Sequence, residues 1–143
     1  MKLVDFSISK DCIALERGAD YFDLHNNFDF RGLAYNSAQR TLDLFWQRAT
    51  GDWVKETESA KLRLVFSEVY LFKTHERDLG LPVTEDDCLD SIGFLWNDML
   101  AEMGSFTSNK PKEGCTQLIA IFTSNFSIKV GAELVALHVT DNA

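Results

Sequence analysis

The most chemically loaded stretch of this chain is Asp23-Leu24-His25-Asn26-Asn27-Phe28-Asp29-Phe30-Arg31. Read as a strand, it puts His25, Asn27, Asp29 and Arg31 on one face, about 7 Å between successive members. An imidazole and a carboxylate that close can share a proton. His25 and Asp29 are therefore the candidates for acid–base catalysis in a small hydrolase or isomerase, with Asn27 and Arg31 as candidates for binding. The same residues suit the solvent face of an edge strand, where polar side chains discourage pairing with other chains. Nothing in their spacing demands catalysis, and this plainer role is the one expected.

The other reactive side chains point the same way. Glu85-Asp86-Asp87 with Asp90 offers carboxylate oxygens to a hard cation, but calcium loops alternate their ligands around a turn glycine and this segment does not. Acids at the start of a helix explain it better. His25, His75 and His138 have no metal-ligand spacing, so neither a metal nor another cofactor is expected. Cys88 lies among Asp86, Asp87 and Asp90, which oppose a thiolate; Cys12, Cys88 and Cys115 are expected to be structural thiols. Walker A, G-x-G-x-x-G and G-x-S-x-G patterns are missing from the sequence. Trp46 shares a face with Leu42 and Leu44 and belongs in the core. Trp53, beside Gly51-Asp52 in a loop, is the aromatic candidate for binding a partner.

The elements that must position these residues sit in 143 residues, enough for one domain spanning the whole chain. Eleven Phe and three Trp require a core to hide them. With 22 acidic against 14 basic residues the formal charge is −8, which disfavours nucleic acid and leaves a basic protein or a small molecule as the better partner, although keeping the chain soluble is the plainer role for that charge. Three Cys without C-x-x-C spacing, no apolar run after Met1, and no stretch long enough to cross a bilayer imply a cytoplasmic protein without a membrane role.

Alternation of apolar and polar residues predicts two hairpins. In the first, Asn27 to Tyr35 pairs with Arg40 to Arg48 across the turn Asn36-Ser37-Ala38-Gln39. In the second, Leu118 to Phe122 turns at Thr123-Ser124-Asn125 into Phe126 to Val139, with a phase shift at Gly131-Ala132. Glu56 to Lys61 reads as a polar loop and Arg77 to Pro82 as another. Between them runs a long strand, Lys61 to Lys73, in which Leu62, Leu64 and Phe66 have one parity and Val69 and Leu71 the other. A bulge near Ser67-Glu68 reconciles them. From Thr84 to Met103 a Thr cap, early carboxylates and the spacing of Leu89, Ile92, Trp96, Met99, Leu100 and Met103 favour a helix, although Leu89 to Trp96 also reads as a strand.

The order of these pieces is carried by Leu24-His25-Asn26-Asn27-Phe28-Asp29-Phe30-Arg31-Gly32-Leu33 and Leu62-Arg63-Leu64-Val65-Phe66-Ser67-Glu68-Val69. It continues in Asp90-Ser91-Ile92-Gly93-Phe94 and Phe122-Thr123-Ser124-Asn125-Phe126-Ser127-Ile128-Lys129-Val130. From Leu24 to Val139 it resembles small bacterial β-sandwich-like families of unknown function, some of them associated with toxin–immunity loci. The resemblance implies a strand at Leu89 to Trp96 and a role of immunity-protein type, and supplies no site residues.

The expectation is therefore a mainly β, antiparallel, two-layer domain with at most one substantial helix. Its function is expected to be non-enzymatic binding through an acidic surface. A His25–Asp29 enzyme and an oligomer-forming structural subunit are the alternatives, and an edge strand leaves monomer and homodimer both open.

Overall fold

The computed structural model describes residues 1–55, 59, 61–96, 98–99 and 101–141. It is mainly β, with 54% of residues in strands and no helix of seven or more residues. Three short strands come first: β1 (Lys2–Val4), then β2 (Ser7–Ile8), β3 (Ala14–Arg17) and β4 (Asp20–Asp23) as a small meander. The first predicted hairpin follows as β5 (Phe28–Asn36) and β6 (Thr41–Arg48), and its turn is held by the Asn36 side chain accepting from the Gln39 amide. Next come β7 (Lys61–His75), β8 (Leu89–Leu95), β9 (Gln117–Phe122) and β10 (Ser127–Thr140). The polar loop expected at Glu56 to Lys61 lies largely outside the described residues, and Lys61 itself opens β7.

The large sheet runs β5-β6-β7-β10-β9-β8, with β1 lying parallel along the C-terminal half of β10. All its other pairings are antiparallel. β5 and β9 are four strand positions apart, about 19 Å across a flat sheet. Yet Phe30 of β5 and Phe122 of β9 stack with ring centroids 4.6 Å apart. The sheet must therefore curl strongly until its two wings meet. Bulges supply the bend. One falls between Phe30 and Gly32, another at Gly131/Ala132 opposite Tyr70, a third between Leu89 and Ser91. Glu68, at the predicted change of parity, has a φ of 54°, and the inward run Leu62, Leu64, Phe66 resumes at Val69.

The small sheet closes the open side of the curl. Its Ile8, Leu15 and Phe22, with Phe6 and Leu24, belong to the same buried cluster as Phe28, Trp46, Phe66 and Phe122. Two layers thus share one core.

The helix favoured over Thr84 to Met103 does not form. Val83–Asp87 is a single 3₁₀ turn with Pro82 at its N-cap position and no capping side chain, and Leu89 already pairs with Phe122. The reason is burial on both sides. Ile92 and Phe94 face the main core, while Leu95 packs on the outer face with Ile119, Ile121, Met99 and Phe106. A strand covered on both faces loses its alternation, and its apolar residues then imitate helical spacing. Asn97 and Leu100 of that segment lie outside the described residues.

Candidate functional site

The segment singled out for chemistry splits at its own first carboxylate. Asp23 accepts hydrogen bonds from the backbone N–H of His25 (3.1 Å) and Asn26 (2.9 Å) and from the Asn26 amide (2.8 Å), while the Asn27 N–H donates to the Asp23 carbonyl. A carboxylate that satisfies nearby amides this way stabilises a turn in competition with the strand. β5 consequently begins only at Phe28, and His25 and Asn27 do not share a strand face with Asp29 and Arg31. Asn27 instead ties down the end of β6, its carbonyl accepting from Ala49. Asp29 and Arg31 stay together as an exposed ion pair at 3.4 Å.

His25 stands at the seam where the wings of the sheet meet. Its Nδ1 lies 2.6 Å from the Leu89 carbonyl, and because a carbonyl only accepts, Nδ1 carries the proton. The Cys88 sulfur is 3.8 Å from that same nitrogen and 3.6 Å from the His25 carbonyl. This pair does not make an activated nucleophile: the nitrogen nearest the thiol is already a donor, so it cannot take the thiol proton. Burial pushes the Cys88 thiol above its usual pKa, and Glu85, Asp90 and Asp29 add to that, against a lowering hydrogen bond with Thr123. Asp87, close by, has its carboxyl raised by burial first, with Asp29 and Asp86 reinforcing and Arg31 opposing. Asp86 is gripped by Arg77 at 3.1 and 3.2 Å, and Glu85 takes the Thr123 hydroxyl, so these acids fasten the 3₁₀ turn to its surroundings. Trp53 is 68% exposed, with its indole N–H donating to the Asn26 carbonyl at 2.7 Å.

A different cluster forms on the small sheet. Register pairs Leu15 with Phe22, both inward, and Glu16 with Tyr21, both turned outward. Tyr21 is 46% exposed, and its hydroxyl lies 3.5 Å from the Asp11 carboxylate. Burial raises the Tyr21 pKa, and the charges of Asp11 and Asp23 raise it further. The hollow beside it, about 510 Å³, is lined by Ser9, Lys10, Asp11, Glu16 and Tyr21. Sequence patterning missed this patch because strands of two to four residues are too short to show a period. The available signal was Glu16-Arg17-Gly18-Ala19-Asp20-Tyr21, a tight turn with Gly18 at a φ of 60° between two alternating arms.

Among the described residues no three His, Cys, Asp or Glu side chains converge on a point where a metal ion would sit, and no helix is long and apolar enough to cross a membrane. No family model, curated protein or solved structure matches the chain.

Proposed function

We propose that this chain is a non-enzymatic binding module that docks a basic protein on the acidic outer face of β3 and β4, in a cytoplasmic role of immunity-protein type. The observation that carries this reading is Tyr21, half exposed and set beside the carboxylates of Asp11 and Asp23. An accessible tyrosine ring gives a partner a rigid anchor at little entropic cost, and surrounding carboxylates steer a basic surface towards it. The −8 charge of the whole chain adds long-range attraction. Of the two candidate acid–base side chains, His25 is committed to the Leu89 carbonyl and Asp29 sits in an exposed pair with Arg31. All three thiols are free, in keeping with a reducing compartment.

The test is co-expression with the products of neighbouring genes, followed by association kinetics of any complex. Tyr21→Ala combined with Asp11→Asn is expected to weaken binding about tenfold or more, the loss of one anchor and its charge. The on-rate should fall steeply with ionic strength. Binding indifferent to both variant and salt, or a measurable turnover abolished by His25→Asn, defeats the proposal.

A further inference from the structure

We propose a second, independent binding site: a basic groove on the outer face of the large sheet that takes a small phosphate monoester carrying a planar ring. The groove, about 600 Å³, spans neighbouring strands β5, β6, β7 and β10. Two cross-strand rows build it. Phe45 pairs with Arg63 and Arg63 with His138; one step along, Gln47 pairs with Lys61 and Lys61 with Thr140. Arg31 joins them from the bulge of β5. Because paired strands lie about 4.8 Å apart, side chains in one row converge on a ligand of a few ångströms.

Charge decides the ligand class. In a chain of net charge −8 the groove collects Arg31, Lys61, Arg63 and His138, and none of the described residues lining it carries a carboxylate. Asp29 and Asp43 approach only from the rim, at 3.4 Å from Arg31 and 3.6 Å from Arg63. The Arg31–Asp29 pair is exposed and the Arg63 side chain is 45% exposed against a partly buried Asp43; at such separations open pairs hold weakly, so both guanidiniums can turn to a stronger anion. A guanidinium offers a planar fork that matches phosphate oxygens, and Lys61 adds a point charge. Phe45, half-buried between these cations, gives a ring something to lie against, and Gln47 and Thr140 supply neutral hydrogen-bonding groups at the edge.

Size and field both favour a small ligand over a nucleic acid. The volume falls inside the range of roughly 300–1,000 Å³ usual for small-molecule sites. An extended phosphate backbone would run out over the acidic remainder of the surface, whereas a monoester stays within about one Debye length, ~10 Å, of the groove cations.

The experiment titrates the intact chain with phenyl phosphate, adenosine 5′-monophosphate, adenosine and inorganic phosphate, following amide shifts in the NMR spectrum. Both monoesters should saturate, moving Phe45, Arg63 and His138, with inorganic phosphate and adenosine each about tenfold weaker or more. Arg63→Gln with Lys61→Gln, both exposed, should weaken the monoesters about tenfold or more, while Lys10→Gln leaves them unchanged. Tyr21→Ala with Asp11→Asn should also leave them unchanged, which separates this site from the protein-docking patch. Absence of saturable shifts, shifts centred elsewhere, or affinities unaltered by the Arg63/Lys61 variant overturn the proposal. Equal affinity for inorganic phosphate and phenyl phosphate overturns the ring-binding part of it.

Discussion

The two wings of the large sheet solve the same problem in opposite ways. In β8 and β9 both faces are covered: all six residues of Gln117–Phe122 are buried, and the segment carrying Met99 and Phe106 lies over Leu95, Ile119 and Ile121. In β6 and the first half of β7 only one face is covered, so Leu42, Leu44 and Trp46 point inward while Asp43, Phe45 and Gln47 point outward. Lys129 helps hold the cover, its ammonium donating to the Glu102 carbonyl at 3.0 Å. The bare wing is free to carry a binding groove. The covered wing serves stability, since a second buried face adds to its packing.

Substitution of outward residues on each wing tests this contrast most strongly. Ile119→Ala should cost about 2–5 kcal/mol because it opens a cavity under the covering segment. Val65→Ala, outward on the bare wing, should cost less than about 1 kcal/mol, because solvent and neighbours close over it. Urea unfolding measures both, and equal costs would abolish the distinction. The glycines of the two wings sharpen it further. A Cβ at Gly93 would run into the Phe106 ring, so Gly93→Ala should cost about 1–3 kcal/mol and be partly rescued by Phe106→Ala. At Gly32 there is open space but a φ of 130°, so Gly32→Ala should cost about 1–3 kcal/mol with no side-chain truncation able to rescue it.

Lys129 gives a pH test of the cover. Burial lowers its pKa from the ordinary 10.5, with Lys73 adding to the lowering and Glu102 opposing it. In the interval between that depressed value and 10.5 the unfolded chain binds more protons than the folded one, so raising the pH favours folding. Stability of the native chain relative to Lys129→Met should therefore climb as pH rises through that interval, and a flat difference would count against burial of the charged form. The smallest effect is expected at Trp53. Trp53→Phe removes one exposed hydrogen bond to Asn26 and should cost under about 1 kcal/mol in thermal or urea unfolding.

Legibility in the sequence follows the same division. Phe28, Phe30, Leu42, Leu44 and Trp46 announced their strands because water on one face forces alternation. The parity change between Phe66 and Val69 marked the place where Glu68 takes a φ of 54°, while the register shift against β10 falls two residues further on, at Tyr70. Leu89 to Leu95 read as either helix or strand, with the helix favoured, because the covering segment that follows it made the outward positions apolar as well. His25 was misplaced for a local reason: three donors within reach of the Asp23 carboxylate turn the chain before the strand begins. Tyr21 escaped notice because its strand is too short for periodicity to register, and Asp11 because it lies in the turn between β2 and β3.

The amino-acid order by itself determined the β class, both long hairpins and the phase shift at Gly131-Ala132, since each follows from neighbours two residues apart along the chain. Only the tertiary structure decided that His25 would meet Leu89, that Tyr21 would stand among carboxylates, and that Arg31, Lys61, Arg63 and His138 would share one groove. Those meetings depend on how separate strands register and how far the sheet curls, and contacts such as His25 with Leu89, 64 residues apart, leave no local pattern to read.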